Sequence, residues 1–196
     1  HAGYSDSPTS RQNQKKWGST TGNYIRSSPA ITSGKVYVGS GDGKLYCFNA
    51  LNGTLAWSYP TAGAIYSSPA IADDKVYIAS DDGNFYCLAA STGAYIWKYR
   101  TGVPERSSPA VVNGKVYIGS ANKTVCCLDS STGAYVWSRA TGASVTSSPA
   151  IVGDRVYVGC TDYEVYCLNA LTGAYLWNYT AGGVVYSSPA VFDGKV

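Results

Sequence analysis

The chain has 196 residues, 15 of them Lys or Arg and 12 Asp or Glu, for a net charge of +3; 45% are hydrophobic, with 18 Tyr, 22 Gly and no Met. No basic run is longer than Lys15-Lys16, which leaves no continuous cationic track for a phosphate backbone and argues against nucleic acid as a partner. No apolar stretch approaches the roughly 20 residues of a membrane helix, so no transmembrane segment is expected.

Residues 1–13 are polar, rich in turn formers and match no later part of the chain, and they read as an extended lead-in. The start at His1, without Met or an apolar leader, suggests a processed product or an excised piece. Beyond that, the chain repeats. Prolines stand at Pro29, Pro69, Pro109, Pro149 and Pro189 and tryptophans at Trp17, Trp57, Trp97, Trp137 and Trp177, always 40 residues apart. A fixed period of this size is the signature of a stacked or radial array. Residues 14–22 align with the last segment of a unit, four units follow at about 24–61, 64–101, 104–141 and 144–181, and residues 184–196 open a fifth.

Each unit offers four short strands. In the second they fall at 66–71, 75–80, 84–89 and 94–100, rich in Val, Ile and Tyr and separated by turn residues such as Ala72-Asp73-Asp74, Asp81-Asp82-Gly83 and Ala90-Ser91-Thr92-Gly93. The alternation places Val76 and Ile78 on one face and Tyr77 on the other; Tyr86 and Leu88 likewise oppose Phe85 and Cys87. Both faces are apolar, so both need cover, as in a propeller blade between two others; a two-layer sandwich would leave one face polar. The predicted fold is all-β: a β-propeller of four-stranded antiparallel blades forming one domain over 14–196. It has five blades if 14–22 and 184–196 together build the closing blade. That blade lacks its third strand, so either residues 1–13 supply it or the chain is a fragment of a seven- or eight-bladed propeller.

Four of the six cysteines, Cys47, Cys87, Cys127 and Cys167, fall on the repeat. Equivalent atoms of neighbouring units lie too far apart for a disulfide, which favours buried thiols acting as small hydrophobes.

The segments 91–97 (Ser-Thr-Gly-Ala-Tyr-Ile-Trp), 131–137 and 171–177, with the recurring Ser-Ser-Pro-Ala and the Gly-Lys-Val-Tyr-Ile-Gly-Ser of 114–120, resemble the tryptophan-docking repeat of the PQQ-like β-propeller family over about residues 15–196. The opening His1-Ala-Gly-Tyr4 is similar to that of archaeal surface propellers of the same family. In physical terms, Gly93 permits the tight turn into the last strand and Trp97 lays its indole between sheets. The first unit departs to Asn52-Gly53-Thr54-Leu55-Ala56-Trp57 but keeps the glycine-to-tryptophan spacing. The family includes quinoprotein dehydrogenases, which implies pyrroloquinoline quinone with calcium on the propeller axis, and also non-catalytic relatives such as the propeller lipoprotein of outer-membrane barrel assembly. Cys126-Cys127 resembles the vicinal disulfide of some quinoproteins; against this, Cys127 is the repeat cysteine and Cys126 replaces the tyrosine of Tyr46, Tyr86 and Tyr166. The innermost strand carries Ser-Ser-Pro-Ala in every copy and no convergent oxygen ligands, so no cofactor and no metal are expected.

Positions held by packing repeat between copies, and positions free of it need not. Two zones vary: the connection from the last strand to the next unit (23–26, 63–66, 103–106, 143–146, 183–186) and the turn between second and third strands (42–44, 82–84, 122–124, 162–164). In an up-and-down blade both lie at the same end. Arg26, Tyr66, Arg106, Thr146 and Tyr186 around the channel mouth, with Asp42, Asp82, Lys123 and Tyr163 on the turns, form the candidate interaction face for a protein or small ligand. Asp81-Asp82-Gly83-Asn84 is read as an ordinary hairpin turn and not a calcium loop. With His1 as the only histidine and no Cys-x-x-Cys pair, hydrolytic triads and zinc sites are not expected. Asn-x-Thr triplets at Asn52, Asn122 and Asn178 fit an extracellular or cell-surface location. The function expected is a non-catalytic interaction scaffold; the alternatives are part of a quinone-dependent oxidoreductase and a protein that self-associates through incomplete blade edges.

Overall fold

The structure is a computed structural model that describes residues 16–193, 195 and 196; the lead-in at 1–13 lies outside the described residues. Sixteen strands form four four-stranded antiparallel sheets, each in chain order, with no helix among the described residues. The first sheet holds β1 (Ala30–Thr32), β2 (Lys35–Gly39), β3 (Lys44–Asn49) and β4 (Leu55–Pro60). The second holds β5 (Ala70–Ala72), β6 (Lys75–Ser80), β7 (Asn84–Ala89) and β8 (Tyr95–Arg100). The third holds β9 (Ala110–Val112), β10 (Lys115–Ser120), β11 (Thr124–Asp129) and β12 (Tyr135–Ala140), and the fourth β13 (Ala150–Val152), β14 (Arg155–Gly159), β15 (Glu164–Asn169) and β16 (Tyr175–Thr180). These are propeller blades, and their innermost strands β1, β5, β9 and β13 are successive neighbours.

The inner strands are shorter than the sequence predicts, because Pro69 and its equivalents have no N–H to give to a ladder. A side chain takes over the missing rung. Ser67 Oγ accepts from Ala79 N–H at 2.8 Å and donates to Ala79 O at 2.9 Å; Ser27 does the same for Gly39 and Ser147 for Gly159. The second serine of Ser-Ser-Pro-Ala then links the blades around the inner edge. The N–H of Ser28, Ser68, Ser108 and Ser148 each donates to the hydroxyl 40 residues on, at 2.8–3.1 Å.

The alternation within strands sorts side chains as expected, and the core lies between blades. Tyr37, Leu45 and Cys47 of the first blade pack against Val76, Ile78, Tyr86 and Leu88 of the second. Tyr77, Phe85, Cys87 and Trp97 then face Val116, Ile118 and Leu128 of the third, and a matching layer joins third to fourth.

Across each sheet a tyrosine, a cysteine and a tryptophan stand in register, as Tyr77, Cys87 and Trp97 do. The fully buried cysteine separates two tilted rings whose centroids are 5.9 Å apart. Both outer members donate to one carbonyl of the next blade, Tyr77 OH and Trp97 Nε1 each reaching Ser130 O at 3.1 Å. The glycine that receives an indole belongs to the following unit, not to the tryptophan's own. A Cβ on Gly93 would lie 2.6 Å from Trp57 Cε3, and one on Gly133 the same distance from Trp97 Cδ2.

At the ends of the array, Trp17 Nε1 donates to Ala50 O at 2.9 Å, so residues 16–22 lie on the first blade. Residues of the fifth unit lie on the fourth blade through Val185 N–H to Cys160 O at 3.2 Å and Ser148 N–H to Ser188 Oγ. The two partial units share no sheet among the described residues, and the ring is not closed there.

Candidate interaction face

The turn between second and third strands and the connection into the next blade are fastened to each other, which places them at one end of the molecule. Thr61 N–H donates to Gly43 O within the first blade, and Asp81 N–H donates to Ala64 O across to the second. Three aspartates complete the clasp. Asp82 accepts from Ala62 N–H at 3.0 Å, Asn84 N–H at 3.0 Å and Tyr86 OH at 2.7 Å. Asp42 does the same with Gly22, Lys44 and Tyr46, and Asp162 with Gly142, Glu164 and Tyr166. Burial alone would raise these carboxyls, but the donated hydrogen bonds outweigh it and hold all three below the usual carboxylate range. Asp42 and Asp82 therefore serve as internal fasteners of the face, with their oxygens already engaged.

Three of the sequence-predicted mouth residues come together, with one that the sequence reading did not single out. The Tyr24 and Tyr66 rings stack with centroids 5.9 Å apart and an 8° interplanar angle, and their hydroxyls share a 2.6 Å hydrogen bond. The Arg26 Cζ lies 5.0 Å from the Tyr24 centroid and 5.3 Å from that of Tyr66, and the Arg106 Cζ is 5.4 Å from Tyr66. Asp81 holds Arg106 by its Nε, 3.6 Å away. Thr146 and Tyr186 stand apart from this group: the Thr146 hydroxyl is buried without a partner among the described residues, and the Tyr186 ring is 68% exposed. Lys123 and Tyr163 project from turns at φ 68° and 72°, where the first two blades have Gly43 and Gly83. A left-handed conformation costs a side-chain-bearing residue about 1–2 kcal/mol.

The third blade departs from the others in a coordinated way. Asn122 and Cys126 replace the bonded Asp–Tyr pair together, and the signal was legible as a four-residue spacing at 42/46, 82/86 and 162/166 that fails at both ends. Glu105, fully buried, takes the place of Ile65, Val145 and Val185. Those β-branched side chains each lean on a bare glycine, Gly39, Gly119 or Gly159, whereas the position equivalent for Glu105 is Ala79, whose methyl suits an unbranched neighbour. The Glu105 carboxylate accepts from Ser120 Oγ and from Ala121 N–H at 3.3 Å, and burial raises its pKa.

The residues do not fit the family's cofactor chemistry. The inner edge offers Ser, Pro and Ala, and no group of three or more His, Cys, Asp or Glu suited to a metal occurs among the described residues. Cys126 and Cys127 are both free and buried, with neighbouring partners in β10 and β12, and adjacent strand residues point to opposite faces. Burial pushes the Cys127 thiol up to about 11.

Solved structures share this architecture. BamB from Moraxella catarrhalis superposes with a TM-score of 0.65 at 23% identity, over 80% of this chain and 65% of that one. The quinohemoprotein alcohol dehydrogenase ADHIIG from Pseudomonas putida HK5 gives 0.76 at 20% identity, over 86% of this chain and 36% of its own. The computationally designed protein Ika4 gives 0.72 at 19% identity, over 80% of this chain and 98% of its own. The chain thus spans about two thirds of the first and about a third of the second. A search of curated proteins gives no match. Residues 5–196 match the family described as "Beta-alanine-activating enzyme, beta-propeller", and the chain belongs to this PQQ-like β-propeller family.

Proposed function

We propose that the chain is a non-catalytic scaffold that engages a protein partner through the end of the propeller carrying the variable turns and connections, in the cell envelope or at the cell surface. One observation carries this reading: Arg26, Tyr24, Tyr66 and Arg106 form an ordered, solvent-facing group at repeat positions that vary between units. Rigid neighbours hold that group, as binding loops on a scaffold require. The oxidoreductase reading would need axial oxygen ligands that Ser-Ser-Pro-Ala does not supply. A triple variant, Arg26→Gln with Tyr66→Ala and Arg106→Gln, checked for folding by circular dichroism, should lose proteins that the wild type retains from extracts of its source. An unchanged retained set overturns the proposal.

A second reading, self-association, is favoured by the outer face of the fourth blade. Trp177 there borders a cavity of about 900 Å³ with Val165, Tyr179, Val185, Pro189 and Val196, whereas Trp57, Trp97 and Trp137 are each covered by a following blade. Sedimentation over a range of concentrations tests it, and a concentration-independent monomer removes it.

A further inference from the structure

We infer that the mouth formed by Arg26, Tyr24, Tyr66 and Arg106 receives an extended acidic segment of a partner protein, one carboxylate to each guanidinium. The inference rests on the scaffold reading above and adds the chemistry of the partner. Packing does not demand arginine at either position. The equivalent residues run Arg26, Tyr66, Arg106, Thr146, Tyr186, and the Arg106 side chain is 58% exposed. Both guanidiniums are positioned without being used up: among the described residues neither donates a hydrogen bond to a protein acceptor within 3.5 Å, and the one ionic contact, Asp81 to Arg106, runs through Nε. The two terminal nitrogens of each remain free for the bidentate grip that suits a carboxylate.

Among the described residues, Asp81 is the carboxylate that meets a guanidinium, and it does so at Arg106 Nε, away from the terminal nitrogens. Asp42, Asp82 and Asp162 already accept turn hydrogen bonds, and Glu105 is buried among its own donors. The attraction for a carboxylate is therefore local, at the terminal nitrogens of Arg26 and Arg106. The spacing admits an extended strand. The two guanidinium carbons lie 5.3 and 5.4 Å from the same Tyr66 centroid, so they are separated by no more than those two lengths end to end. Side chains on one side of an extended strand recur about every 7 Å, within that limit, so carboxylates two residues apart can reach both. The residue between them points away from the surface.

The test is fluorescence anisotropy with a labelled peptide of alternating Glu and Val, against the same peptide with Gln for Glu, at about 20 and about 200 mM NaCl. The Glu peptide should bind, more weakly at the higher salt, and the Gln peptide should not. Arg26→Gln and Arg106→Gln should each weaken binding about tenfold, and Lys98→Gln, on the outer strand, should leave it unchanged. Equal binding of the Gln peptide, or of the Glu peptide by the arginine variants, overturns the inference. So does displacement by sodium sulfate beyond that of sodium chloride at equal ionic strength, which would mark a site for small oxyanions. If the peptide fails while retained proteins still depend on the face, the acidic chemistry is wrong and the scaffold stands; if the peptide binds as expected while the retained set is indifferent to the triple variant, the scaffold reading alone falls.

Discussion

Replacing Gly133 by Ala asks whether the seat for an indole, and not only a left-handed turn, makes glycine necessary. Gly133 has φ 71°, and an added Cβ would lie 2.6–3.0 Å from three ring atoms of Trp97. Gly114 has nearly the same φ, 70°, and an added Cβ there meets nothing within 4 Å. The backbone cost is common to both, about 1–2 kcal/mol. Gly133→Ala also displaces an indole that is 6% exposed and bonded to Ser130 O. An aromatic side chain of this size buries roughly 150–250 Å², worth about 4–6 kcal/mol at most, and the ring will yield by shifting, as overpacked cores do, for about 1–3 kcal/mol. We therefore expect Gly133→Ala to lose about 1–3 kcal/mol more than Gly114→Ala. The assay is urea unfolding followed by circular dichroism, comparing midpoints at unchanged slope. In a Trp97→Leu background the excess should vanish, since the double-mutant cycle removes the partner. Equal losses for the two alanines, or an excess that survives Trp97→Leu, would refute the account.

Two further expectations concern pH, with opposite signs. Asp82 is held below the usual carboxylate range, so its contribution is present above an unfolded value of about 3.9 and is lost as pH falls through the folded value. Tyr86→Phe removes one of its donors and should cost about 1 kcal/mol near neutrality and less in acid; an identical loss at both pH values counts against the clasp. Glu105 is raised by burial, so its contribution is full below about 4.3 and is lost as pH rises through the folded value. Glu105→Gln should therefore gain on the wild type between acid and neutral pH, and a difference in melting midpoint that does not change with pH would contradict this.

Much of the fold was legible because it repeats. Five prolines and five tryptophans at one interval, with both faces of each strand apolar, leave few architectures that cover every face, and the side-chain alternation predicted for Val76, Tyr77, Phe85 and Tyr86 is the one observed. The interaction face was legible only as variation. That the turns and connections share one end follows from strand topology. That Arg26, Tyr66 and Arg106 meet while Thr146 and Tyr186 stand apart depends on side-chain contacts between blades, which no local pattern encodes. Tyr24 was missed for this reason, since its role comes from stacking on a residue 42 positions away.

The sequence by itself determined the unit, its length, its strands and which faces must be buried, because these follow from periodicity and from the chemistry of turns. Only the tertiary structure decided what each repeated residue touches. The glycine beside a tryptophan in the chain receives the indole of the unit before it, the paired serines replace and extend the backbone ladder, and the turn aspartates Asp42, Asp82 and Asp162 are each engaged by at least three donors. The physical reason is that the core of this protein lies between its units, so a residue's partners stand one period away.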